Sequence, residues 1–228
     1  LPDAFPEKPT GVLSVEGGEL FVGDLNKLAE FDDHSRIRAV ALTWNWENEI
    51  GYPGASGSEQ GLKPFGKELI AEMDRRGILT DVSHLNDAGF WDVVHTSSLP
   101  PIATHSNLRW LCDVSRNLTR DMAKAIIERR GFIGMNFYSG FLEKNENASI
   151  DDVVRHIDAL MEMGGEDVVG FGSDFDGISV WPENLANPAD FPNLIEALRR
   201  HGYAEAQIEK IACKNFWRVL KEVEASRR

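Results

Sequence analysis

Four apolar runs in this chain end on a side chain that can bind a metal. Ile78-Leu79-Thr80-Asp81-Val82-Ser83 leads into His84, and Pro101-Ile102-Ala103-Thr104 leads into His105. Val12-Leu13-Ser14-Val15 stops on Glu16, and Val168-Val169-Gly170-Phe171-Gly172-Ser173 stops on Asp174. Short, largely apolar runs bounded by polar turn residues are the pattern of strands buried in a parallel sheet. A parallel α/β barrel gathers its chemistry at the C-terminal ends of its strands. Two imidazoles and two carboxylates at four such ends therefore predict a hydrolytic metal site.

The rest of the chain fits the same architecture. Strands are predicted over residues 12–15, 37–42, 78–82, 101–104, 132–136 and 168–171. Helical patterns lie between them. The segment 64–76 opens on Pro64, which suits a first helical turn, and 86–95 opens on Asn86, a capping residue. The segment 119–130 opens on Thr119 and stops before Gly131. In 149–163, Ser149 is followed by Asp151 and Asp152, where the helix dipole favours negative charge. From Phe191 onward two or three more helices are expected. The predicted fold is α/β, a (β/α)8 TIM-type barrel forming one domain over residues 1–228. Six predicted strands fall short of eight, and the chain begins a few residues before the first of them, so the first strand-helix units are expected to be missing. The competing arrangement is an open doubly wound sheet. It requires a glycine-rich phosphate loop after an early strand, and Gly17-Gly18 is too little for one.

Composition narrows the partners. The formal charge of -13 repels phosphate backbones and argues against nucleic acid. No stretch approaches the roughly 20 apolar residues of a membrane span. The opening Leu1-Pro2-Asp3-Ala4-Phe5-Pro6-Glu7-Lys8 lacks the basic-then-apolar order of a signal peptide. Cys112 and Cys213 form no motif, which points to a reducing, cytoplasmic setting. Two polar loops, 43–61 and 176–190, are long enough to serve as lids or binding surfaces at the C-terminal face.

Each candidate residue has a functional and a structural reading. A neutral imidazole is a good zinc ligand, yet a single strand-end histidine more often caps a sheet; two at one topological position favour metal for His84 and His105. Glu16 is either a turn acid or, with Gly17-Gly18 bending the chain behind it, a carboxylate able to bridge two cations. Asp174 is a turn residue or a carboxylate that takes a proton from water or pairs with a substrate amine. Arg116 is a surface cation or a two-point clamp for a substrate carboxylate, with Arg109 as competitor. His34 is read as part of a polar turn. His95, His156 and His201 are read as partly solvated residues in or beside amphipathic helices.

Val15-Glu16-Gly17-Gly18, Leu42-Thr43, Gly61-Leu62-Lys63-Pro64-Phe65-Gly66, Asp81-Val82-Ser83-His84, Thr104-His105-Ser106, Ser115-Arg116-Asn117, Asn136-Phe137-Tyr138 and Gly170-Phe171-Gly172-Ser173-Asp174-Phe175-Asp176-Gly177 together resemble the membrane (renal) dipeptidase family and its bacterial relatives. They occur in the family's order, from about Gly11 to Glu224. The resemblance implies a barrel with two zinc ions that hydrolyses dipeptides, often accepting a D-residue at the C-terminal position. It implies that Glu16 bridges the metals, that His84 and His105 hold the second one, and that Arg116 anchors the substrate carboxylate. It makes Asp174 the catalytic acid. Asn45 and Tyr138 are read as substrate-binding residues, Asn45 or Trp44 as a hydrogen-bond donor to a tetrahedral intermediate. Relatives commonly dimerise, and Trp181 is a candidate interface residue.

The sequence departs from the family pattern twice. The family's first metal takes a His-x-Asp pair from the end of strand one, and the chain is read as carrying no such pair, so one zinc or none is possible. Mammalian members have a substrate-binding histidine after Leu-Thr, where this chain has Trp44. Besides a dipeptidase, two alternatives stand: a degenerate relative that binds without turnover, and another metal-dependent amidohydrolase.

Overall fold

The computed structural model describes residues 10–225. Contacts divide the chain into two compact units, Leu1–Ile102 with Trp217–Arg228, and Ala103–Phe216. Each is described in turn.

The first unit contains β1 (Ser14–Glu16), α1 (Leu25–Ser35), β2 (Ala39–Ala41), α2 (Pro64–Arg76), β3 (Leu79–Asp81), α3 (Asp87–Thr96) and the start of β4 (Ile102–Ala103). The strands are parallel and neighbour one another in chain order. Glu16 pairs with Ala41, Ala41 with Asp81, and Asp81 with Ile102, so these four residues form one row across the strands. Strands β2 and β3 are buried throughout, as strands between covering helices are. Local chemistry sets the helix starts. Asp24 accepts from the Asn26 N–H at 2.9 Å before α1, Pro64 occupies the first turn of α2, and Asn86 accepts from the Gly89 N–H at 2.9 Å before α3. Leu69, Ile70 and Met73 of α2 are fully buried, and Phe90 and Val93 of α3 nearly so.

The second unit contains the end of β4, α4 (Arg120–Glu128), β5 (Phe132–Asn136), α5 (Ser139–Leu142), α6 (Ile150–Glu162), β6 (Val169–Ser173), α7 (Phe191–Arg200) and α8 (Glu205–Glu209), and the start of α9 (Asn215–Ala225). A π-helical turn, Lys210–Lys214, joins α8 to α9. β5 and β6 are parallel, with a register irregularity between Met135 and Asn136 that sets Asn136 opposite Ser173. Thr119 caps α4 by accepting from the Met122 N–H at 3.2 Å. Asp152 accepts from the Ser149 N–H at 2.8 Å, closing a capping box at the start of α6.

All six predicted strands are present, each within or near its predicted span. Two predicted histidine environments are corrected. His34 is not in a turn: it lies in the last turn of α1, its Nδ1 2.8 Å from the Glu30 carbonyl oxygen. His156 is not partly solvated: it is fully buried on the face of α6 that also buries Val153, Ile157 and Leu160.

Candidate metal centre

In the first unit, β1 ends on Glu16, whose side chain is half exposed. Gly17 follows at φ 89°, a region that disfavours any side chain, and donates its N–H to the Ala41 carbonyl at 3.1 Å. The turn holds Glu16 at the end of the pairing row. His84 stands three residues beyond Asp81 in the same row. It is buried and adopts φ 69°, an uncommon left-handed conformation for a residue other than glycine.

The His84 ring has an assigned partner on each side. Nδ1 lies 3.1 Å from Asn45 Oδ1, and Nε2 lies 3.0 Å from Glu16 Oε1. An amide oxygen only accepts, so Nδ1–H donates to Asn45, and Nε2 faces the carboxylate. Two acceptors at this distance attract each other only through a proton or a cation between them. Ligand atoms about 2.0–2.2 Å from a tetrahedral zinc stand roughly 3.3 Å apart, so this donor pair fits such an ion. Asn45 thus touches His84, a role distinct from the substrate contact expected of it. Trp44 is 42% exposed and holds no ring nitrogen capable of accepting a metal. The loop that follows is tied down: Asn48 donates to the Leu42 carbonyl at 2.9 Å and accepts from the Ile50 N–H at 2.9 Å.

In the second unit, His105 is buried just past β4, its Nδ1 2.8 Å from Thr104 Oγ1. Arg116 lies on the loop that follows, its guanidinium 5.4 Å from the centroid of the Phe141 ring. Tyr138 meets the same ring edge to face at 4.8 Å, so two of the three expected substrate-binding residues flank one aromatic platform. The Tyr138 hydroxyl is 3.3 Å from Glu146 Oε1; burial and then the Glu146 charge raise its pKa. Arg109 is occupied differently. Its Nε donates to the Asn117 carbonyl at 2.9 Å and an Nη to the Ser115 carbonyl at 3.1 Å, bracing the loop that carries Arg116.

His156 braces the same loop from below. Its Nδ1 accepts the Leu108 N–H at 3.2 Å, and Nε2 lies 3.3 Å from the Leu142 carbonyl. Burial pushes its pKa down to about 4, so the ring is neutral. The reading that the chain carries no His-x-Asp is corrected: His156-Ile157-Asp158 is one, but it sits inside α6 with the imidazole committed to the backbone.

Asp174 follows β6. It lies at φ 74° after Ser173 at φ 52°, and its Oδ2 accepts from Asn136 Nδ2 at 2.9 Å. Asn136 and its partner Asn107 were not among the expected site residues. The available signal was a polar residue closing the apolar run Phe132–Asn136. Trp181 is partly exposed and donates its Nε1–H to the Phe175 carbonyl at 3.3 Å.

Parallel strands alternate with helices, and imidazole and carboxylate groups stand at the strand ends, so the fold is α/β. The chain belongs to the membrane dipeptidase family, peptidase family M19, whose model matches residues 4–228. An uncharacterized protein encoded in the pqqA 5' region of Klebsiella pneumoniae is 37% identical over 222 residues, which cover 93% of this chain and 81% of that protein. An uncharacterized dipeptidase of Schizosaccharomyces pombe is 30% identical over 219 residues, 94% of this chain and 53% of its own length. The crystal structure of a metallo peptidase from Rhodobacter sphaeroides, liganded with a phosphinate mimic of the dipeptide L-Ala-D-Ala, matches with a TM-score of 0.88 at 35% identity. That match covers 93% of this chain and 63% of the Rhodobacter chain, so this sequence spans just under two thirds of that structure.

Proposed function

We propose that the protein is a zinc-dependent dipeptidase, with Glu16, His84 and His105 as metal ligands. The observation that carries this reading is the Glu16–His84 pair, aligned by Asn45 for a cation. Register supports His105 as the third ligand: it lies three residues beyond Ile102, as His84 lies three beyond Asp81, and Asp81 and Ile102 are partners. A bound zinc supplies Lewis acidity for the scissile carbonyl and lowers the pKa of water near it.

The chain's own residues do the remaining work. Arg116 grips the C-terminal carboxylate of the dipeptide by two parallel hydrogen bonds, and the Phe141 ring supports its guanidinium. A grip on the carboxylate discriminates weakly between side-chain configurations, so a C-terminal D-residue is accepted; the dipeptide mimic bound by the Rhodobacter relative has that configuration. Asp174 receives the proton released as water attacks and meets the substrate amine. Tyr138 lines the pocket beside Arg116. Among the described residues no helix is long and apolar enough to cross a membrane. Both cysteines are free thiols, which supports a reducing, cytoplasmic setting. A homodimer is the expected assembly.

The test is hydrolysis of L-Ala-D-Ala by the purified protein. The reading expects turnover that is lost on chelation and recovered with zinc; turnover indifferent to chelation refutes it. A second reading carried over from the sequence is a relative with a single metal and no turnover. Elemental analysis separates the two, at two equivalents of zinc or one.

A further inference from the structure

The second unit holds a run of polar side chains that leads to Asp174 and has no place in the site as drawn so far. Asn107 and Asn136 are both fully buried. They grip each other at two points. Asn107 Nδ2 donates to the Asn136 carbonyl at 2.9 Å, and the Asn136 N–H donates to Asn107 Oδ1 at 2.9 Å. The Asn136 side chain then has one orientation open to it. Its Oδ1 accepts the Tyr138 N–H at 2.6 Å, which turns the amide NH2 outward, and that NH2 donates to Asp174 Oδ2 at 2.9 Å.

The backbone under Asp174 is equally constrained. Ser173 and Asp174 are consecutive non-glycine residues at φ 52° and 74°. Such a pair persists only where the surroundings over-determine it. The Phe137 N–H donates to the Ser173 carbonyl at 2.9 Å, and the Gly177 N–H to the Asp174 carbonyl at 3.0 Å. A Cβ at Gly177 would lie 2.2 Å from Asp174 Oδ1, so the bare glycine makes room for this carboxylate.

We propose that Asn136 is the positioning residue for Asp174, holding one carboxylate oxygen through its amide N–H so that the group stays aimed at the reacting water and substrate, and that Asn107 fixes Asn136 in turn. The proposal rests on the dipeptidase reading, in which Asp174 handles the proton. The alternative is a purely structural tie between two strand ends.

Asn136→Asp tells them apart. The change is nearly isosteric and keeps the acceptor for the Tyr138 N–H, but it sets a second carboxylate against Asp174. Two facing carboxylates titrate as a pair that retains a proton to higher pH. The expected result is a drop of at least about tenfold in kcat/KM at pH 7, with the acid limb of the pH profile moved up by about one unit and the zinc content unchanged. An acid limb where the wild type has it overturns the proposal. The double variant Asn136→Asp with Asp174→Asn reverses donor and acceptor. It should recover the thermal midpoint lost in Asn136→Asp while remaining inactive; no recovery also overturns the proposal. The thermal coupling is read without any substrate. Coupling present in a wild type that turns over no dipeptide would therefore sink the dipeptidase reading, whereas a normal acid limb in an active Asn136→Asp variant would sink the positioning role alone.

Discussion

His84 Nε2 and Glu16 Oε1 stand 3.0 Å apart although 68 positions separate them in the chain. The parallel row Glu16, Ala41, Asp81, Ile102 brings the two strand ends to one level, and the contact follows from that row. Asn45 on the opposite ring nitrogen keeps Nε2 of His84 directed at the carboxylate.

Removing that imidazole should remove metal. His84→Ala is expected to lower the zinc bound per chain by one equivalent in elemental analysis, with the far-ultraviolet circular dichroism unchanged. Unaltered stoichiometry would show that His84 is no ligand. Glu16→Gln keeps size and drops charge, and should weaken zinc affinity by at least about tenfold, because zinc prefers an ionised oxygen donor.

Arg116→Ala should act on substrate binding. A two-point bond between guanidinium and carboxylate is worth on the order of 2–3 kcal/mol, or roughly 30- to 150-fold in KM for a free dipeptide. A dipeptide amide, which lacks the carboxylate, should be affected far less. Equal changes for both substrates would remove the clamp from the account.

His156 makes stability depend on pH. Its folded pKa is about 4, below the roughly 6.5 of an exposed imidazole. Above about pH 6.5 the ring is neutral in both states and the stabilisation is complete. As the pH falls toward 4 the unfolded chain takes up a proton that the folded chain refuses, and stability declines by on the order of 3 kcal/mol. Thermal midpoints of wild type and His156→Gln, measured from pH 7 to pH 4, should converge as the pH drops. Parallel curves would mean that the imidazole is solvated.

The strands were legible because six apolar runs, each bounded by turn residues, have no other economical arrangement. Four of them also ended on a side chain able to bind a metal. Helix α1 left little trace: of its eleven residues only Leu28 and Asp32 are buried, so its apolar face is too thin to register, and His34 read as a turn. His156 is different, because Val153, Ile157 and Leu160 mark the buried stripe of α6 and place it inside. The contacts of three asparagines could not be read from sequence, which expected Asn45 at the substrate and gave Asn107 and Asn136 no role. Asn45, Asn107 and Asn136 act through partners 39, 29 and 38 residues away, and hydrogen bonds of that range leave no periodicity to read.

Anomalous diffraction at the zinc absorption edge, from crystals of the zinc-loaded protein, addresses the shared cation most directly. The account predicts a peak about 2.0–2.2 Å from Glu16 Oε1, from His84 Nε2 and from a ring nitrogen of His105. A peak that leaves out either histidine, or zinc bound elsewhere on the chain, would contradict it.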